Sequence, residues 1–105
     1  MHIHIPINDE QLRAFCAKWR ITRFELFGSV LREDFRPDSD IDVLVTLPPE
    51  SHFTLFDLAK MANELEDMFG RQVDLLDRRW IEHSHNAIRR AEILTNAREI
   101  YHVAA

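Results

Sequence analysis

The stretch GSVLREDFRPDSDIDVLVTL, Gly28 to Leu47, decides how the rest of the chain is read. It opens on a Gly-Ser pair and sets Asp40 and Asp42 two residues apart, where an alternating apolar segment begins. Ile41, Val43, Val45 and Leu47 fall on one face of a strand, which Pro48 and Pro49 end. A carboxylate taken into a low-dielectric region without a partner costs several kcal/mol or stays protonated. The two acids therefore call for something positive beside them.

Working outward, ITRFELF at residues 21–27 is β-branched and aromatic and stops at Gly28, so it predicts a strand. Ahead of it, and after the short alternating MHIHI, Asn8 with Gln11 resembles a capping box. Leu12, Phe15, Cys16 and Trp19 then recur at helical spacing, which predicts an amphipathic helix over 9–19. Beyond the prolines, Thr54 caps a helix whose Leu55, Leu58, Ala62, Leu65 and Phe69 form one stripe, and Gly70 stands at its left-handed end. RQVDLLD at 71–77 reads as a third strand, carrying Asp74 between Val73 and Leu75. Ile88, Ala91, Ile93 and Leu94 suggest a helix near 85–95, and REIYHV a short final strand. Helix, strand, strand, helix, strand, helix, strand predicts an α/β (α+β) sandwich with a small mixed sheet and helices packed on it.

With 105 residues, 46% of them hydrophobic, the chain suits one domain over 1–105. Acids outnumber Lys plus Arg by 18 to 13, a net charge of −5, which argues against long nucleic acid as a partner. Cys16 has no second cysteine to pair with, no apolar run approaches the roughly 20 residues of a membrane span, and the start lacks the regions of a secretory signal. A reducing, cytoplasmic location without membrane contact is expected.

Residues i and i+2 of a strand share a face, so Asp40 and Asp42 would share a cation. Asp74, on a strand able to pair beside theirs, would bring a third carboxylate. Converging acids are stable when divalent cations neutralise them, and hard oxygen ligands favour Mg²⁺ or Mn²⁺. Mg²⁺ commonly binds through one or two carboxylates plus substrate phosphates, which makes a phosphate the expected guest. Gly28 allows the backbone to approach it closely, and Ser29 offers a hydroxyl and N–H groups at a strand-to-helix turn.

Taken together, Gly28-Ser29, Arg32, Ser39-Asp40-Ile41-Asp42, the alternating strand and Asp74 in VDLL resemble the minimal nucleotidyltransferases of the DNA polymerase beta superfamily. Glu33 and Asp34 stand where a glycine often follows the arginine. The resemblance implies the polymerase-beta-like fold and two divalent cations, Mg²⁺ with Mn²⁺ as substitute, held by Asp40, Asp42 and Asp74 as catalytic residues. It implies ATP as substrate, its phosphates contacted by Gly28, Ser29, Arg32 and Ser39. Members this short are similar to the antitoxin half of HEPN/MNT modules, which moves AMP from ATP onto a tyrosine of a helical HEPN ribonuclease toxin and so neutralises it. The alternatives are nucleotide transfer to an RNA end or a small molecule, and an idle antitoxin that acts by binding alone.

Other patterns carry less. DSDID matches the first acids of a calcium loop, but its sixth position is Val43 and its twelfth Pro49, which excludes that reading. His83 and His85 have no Cys partner and receive no site. Trp19, Phe69, Trp80 and Tyr101 read as packing rather than as a base-stacking platform. Arg32 is as well placed by sequence for an ion pair with Asp34 as for a phosphate, and Arg78-Arg79 and Arg89-Arg90 are local basic spots.

Overall fold

A computed structural model describes residues 5–33, 35–36 and 38–103. The MHIHI start up to His4, and any pairing of Arg32 with Asp34, lie outside the described residues. In order, the elements are α1 (Asp9–Trp19), β1 (Arg23–Phe27), a single 3₁₀ turn (Gly28–Leu31), β2 (Ile41–Thr46), α2 (Leu55–Phe69), β3 (Val73–Asp77), α3 (Arg78–Glu82), α4 (Ala87–Asn96) and β4 (Arg98–His102).

The helix ends follow from local chemistry. The Asn8 side chain accepts the Gln11 N–H at 3.0 Å and starts α1, which closes at Arg20 in the left-handed region with φ 60°. Thr54 and Asp57 form a reciprocal capping box at the start of α2, and Gly70, at φ 69°, ends it.

The sheet order is β3-β2-β1-β4. β1 runs antiparallel to both β2 and β4, while β2 and β3 are parallel neighbours joined through α2, so the sheet is mixed, as expected. One face carries Phe24, Leu26, Ile41, Val43 and Val45 against Leu12, Phe15 and Cys16 of α1 and Met61 and Leu65 of α2. Lys18 Nζ and the Trp19 indole N–H both donate to Glu64, at 2.8 and 3.1 Å, and tie α1 to α2.

The opposite face is also covered. Phe27 and Leu44 pack there with Ile81 of α3 and Ile93 of α4, and Leu44 is fully buried. Glu25, on the same side as Phe27, is buried and paired with Arg78, which also reaches Glu82 at 3.2 Å. This pair pins α3 to the middle of β1. The short helix α3 was not expected, because RRWIE follows VDLLD without any turn residue. The final helix begins two residues later than predicted, at Ala87, where Asn86 caps it by accepting the Arg89 N–H at 3.0 Å. Trp19, Phe69 and Tyr101 pack against the core as expected, but Trp80 is 65% exposed. On a five-residue helix the inward position goes to Ile81, which leaves its neighbour outside.

Candidate active site

Gly28, at the end of β1, adopts φ +75° and turns the chain into the 3₁₀ turn. A Cβ at this position would stand 2.2 Å from Asp42 Oδ2, so only glycine leaves room for that carboxylate. The two are brought together by strand register: Phe27 is the cross-strand partner of Asp42. On the other side of β2, Asp42 is the register partner of Asp74 in the parallel strand β3. The two acids thus stand side by side on one sheet, although 32 residues separate them in sequence.

Burial is the first cause that pushes the Asp42 carboxyl above the ordinary aspartate range, followed by repulsion from Asp74 and then from Asp40. Arg32 and Arg89 pull the other way. A half-buried carboxylate that two other carboxylates repel is under-compensated for positive charge.

These residues open onto a cleft of about 650 Å³ lined by Gly28, Arg32, Asp42 and Asp74 from the sheet side. The facing wall is α4, through Arg89, Glu92, Ile93 and Asn96. Positions 89, 92, 93 and 96 share one helical face, and that spacing was available in the sequence. Arg89-Arg90 stands out in the sequence as a basic pair, whereas the fold alone brings Glu92 and Asn96 to the cleft.

The other expected residues lie around the cleft rather than in its lining. Asp40 is exposed one residue ahead of β2, so the rule that alternate strand residues share a face applies only from Ile41 onward. Its charge still reaches Asp42. Ser29 is half-buried in the 3₁₀ turn, its carbonyl accepting the Arg32 N–H at 2.9 Å. The Ser39 hydroxyl accepts the Arg36 N–H at 2.9 Å, and so shapes the loop that delivers Asp40. Arg71 clamps the same loop, donating to the Arg36 and Ser39 carbonyls at 2.8 and 3.2 Å while its guanidinium lies 4.4 Å from the Phe35 ring centre. Nothing in the sequence pattern marked Arg71.

Among the described residues no three carboxylates, histidines or cysteines stand close enough to enclose a metal by themselves. The donor set still fits a divalent cation. Asp42 and Asp74 are hard oxygen donors, adjacent and mutually repelling, and they leave coordination positions for water and phosphate oxygens, the mode in which Mg²⁺ is usually held.

Known proteins resemble this chain in sequence and in fold. The family model "Nucleotidyltransferase domain" matches residues 9–99. A Methanocaldococcus jannaschii protein named a protein adenylyltransferase is 37% identical over 59 residues, which span 56% of this chain and 61% of that protein. The solved structure of a protein named a minimal nucleotidyltransferase superposes with a TM-score of 0.61 at 32% identity, covering 88% of this chain and 95% of that one. A Shewanella oneidensis MNT antitoxin complex with a tri-AMPylated HEPN toxin gives a TM-score of 0.59 at 22% identity, covering 90% of this chain and 66% of that one, a likeness of fold. With its glycine turn, paired acids and mixed sheet inside the matched region, this chain belongs to the nucleotidyltransferase domain family.

Proposed function

We propose that this chain transfers AMP from ATP to a tyrosine hydroxyl of a HEPN-type ribonuclease partner, and thereby neutralises it. The observation that carries the reading is the register pair Asp42 and Asp74 beside Gly28 and Arg32, facing Arg89 across one cleft. Paired carboxylates suit a divalent cation, guanidiniums suit phosphate oxygens, and a glycine backbone admits a phosphate closely. The adenylyltransferase name of the M. jannaschii relative and the AMPylated toxin bound by the S. oneidensis antitoxin favour a protein acceptor.

Asp40, Asp42 and Asp74 would hold the divalent cations, Mg²⁺ or Mn²⁺, which offset charge on the triphosphate and on the leaving pyrophosphate. The acceptor oxygen bonds to the α-phosphorus as the bond to the bridging oxygen of the β-phosphate breaks, and pyrophosphate leaves with the electron pair. The hydroxyl proton would pass to a cleft carboxylate, and exposure at the rim makes Asp74 the candidate. Arg32 and Arg89 orient the phosphates, while Gly28 and Ser29 present backbone to them. Ser39 acts through the loop, keeping Asp40 beside Asp42.

Intact-mass measurement tests the reading. The partner, incubated with this chain, ATP and Mg²⁺, gains one or more AMP units on tyrosine, and an Asp40→Ala/Asp42→Ala variant leaves its mass unchanged. Neutralisation without added mass, equal in the variant, would replace the proposal by stoichiometric binding. Nucleotide appearing on RNA or on a small molecule instead would make that the acceptor class.

A further inference from the structure

A second groove, of about 540 Å³, runs beside the cleft between the start of α2 and the α3–α4 pair. Its walls are apolar, with Leu58 and Ala62 from α2, Leu75 and Leu76 from β3, and Ile81 from α3. At its mouth Leu55 is 69% and Trp80 65% exposed. Phe56 and Ile88, next in the chain to lining residues, are 82% and 83% exposed. Leu55 and Trp80, exposed at the mouth of an apolar groove, mark a place that another molecule covers.

The charge around the groove narrows what that molecule is. The one carboxylate in the lining, Asp77, is buried and already paired with Arg79 at 3.1 Å. Arg90 gives an N–H to the Ser84 carbonyl at 2.6 Å, a neutral acceptor, and keeps its charge. Arg89 forms no ion pair among the described residues. The rim is therefore positive in a chain whose net charge is −5. Arg89 also lines the nucleotide cleft, so whatever lies in the groove ends against the wall that faces Asp42 and Asp74.

We propose that this groove docks the acceptor protein, through an amphipathic helix apolar on the face laid against Leu55 and Trp80 and acidic where it meets Arg90. The inference rests on the transferase reading and adds where the acceptor binds and from which side its hydroxyl enters. A second copy of this chain is a poorer occupant, because an isologous pairing brings two positive rims together.

The test uses the HEPN partner and a Leu55→Ser/Trp80→Ser variant, both changes at exposed positions, with circular dichroism to verify the fold. KM for the partner should rise about tenfold or more, while kcat at saturating partner and affinity for ATP stay within about twofold. Wild-type affinity for the partner should also weaken as salt is raised. If the wild type adds AMP and the variant has an unchanged KM, the groove proposal falls and the transferase reading stands. If the wild type binds the partner without adding mass, the transferase reading falls. Affinity then decides the groove: weaker binding by the variant supports it, and equal binding overturns it. A wild type that ignores the partner, or that self-associates on sedimentation through contacts the variant abolishes, overturns it as well.

Discussion

Replacing Gly28 by alanine separates what the backbone requires from what the chemistry requires. The new Cβ would lie 2.2 Å from Asp42 Oδ2 and 3.2 Å from its Cγ, on a residue at φ +75°. A non-glycine residue in the left-handed region costs about 1–2 kcal/mol, of which about 0.4–1 returns because the unfolded chain is stiffer. The net is about 0–1.6 kcal/mol, or up to roughly 12 °C in melting temperature for a domain of this size. Gly70 is an internal comparison: its φ is +69°, and nothing lies within 4 Å of its would-be Cβ. Gly70→Ala therefore carries the same backbone cost and leaves the cleft untouched. The clash at Gly28 is with the tip of a short side chain that turns aside for about 1 kcal/mol, so Gly28→Ala should melt only about 4–8 °C below Gly70→Ala. Their chemistry should differ, because a displaced Asp42 lowers transfer roughly 100-fold. The assay is thermal melting beside AMP incorporation into the acceptor, with both variants measured against the wild type. Equal activity in the two variants, or a stability loss at Gly28 several kcal/mol beyond that at Gly70, would refute the reasoning.

Three further outcomes are expected. Asp42→Asn should abolish transfer from labelled ATP, yet stabilise the cation-free protein at neutral pH, because burial and then Asp74 raise the Asp42 pKa in the fold. A raised folded pKa means that protonated Asp42 supports the fold fully below about pH 4 and loses that contribution as pH rises through the raised value. The variant's advantage in melting temperature should therefore grow with pH and vanish in acid, and an advantage independent of pH would sink the argument. Glu25→Gln, which strips half-buried Arg78 of the buried one of its two carboxylates, should cost about 2–3 kcal/mol in urea unfolding, most of it recovered in Glu25→Leu/Arg78→Met. The Cys16 thiol, pushed up to about 12 by burial, should resist alkylation at pH 8 until the protein unfolds, and rapid native labelling would contradict its place in the core.

Most of the elements were legible in the order of residues along the chain. α1 spans the predicted residues, since Asn8 and the Leu12, Phe15 and Cys16 stripe act within a few turns of one helix. Thr54 and Gly70 bounded α2 for the same reason, and Gly28 with the DSDID acids pointed to the nucleotidyltransferase family through residue type and spacing. β1 begins at Arg23 rather than at residue 21, because its start depends on where β2 and β4 pair with it.

Tertiary structure decided the rest. The alternation of β2 marked one buried face, but Leu44 on the other face is buried too, because α3 and α4 return across the sheet. That return makes a cleft wall of Arg89, Glu92 and Asn96, and it leaves Trp80 outside although its composition suggested packing. Asp42 and Asp74 meet only because β2 and β3 pair in a parallel register set by the α2 crossover. Capping and periodicity are free energies of neighbours along the chain, so a sequence displays them directly. Which distant segments face one another is settled by closing loops and burying apolar surface over the whole domain, and local spacing does not encode that balance.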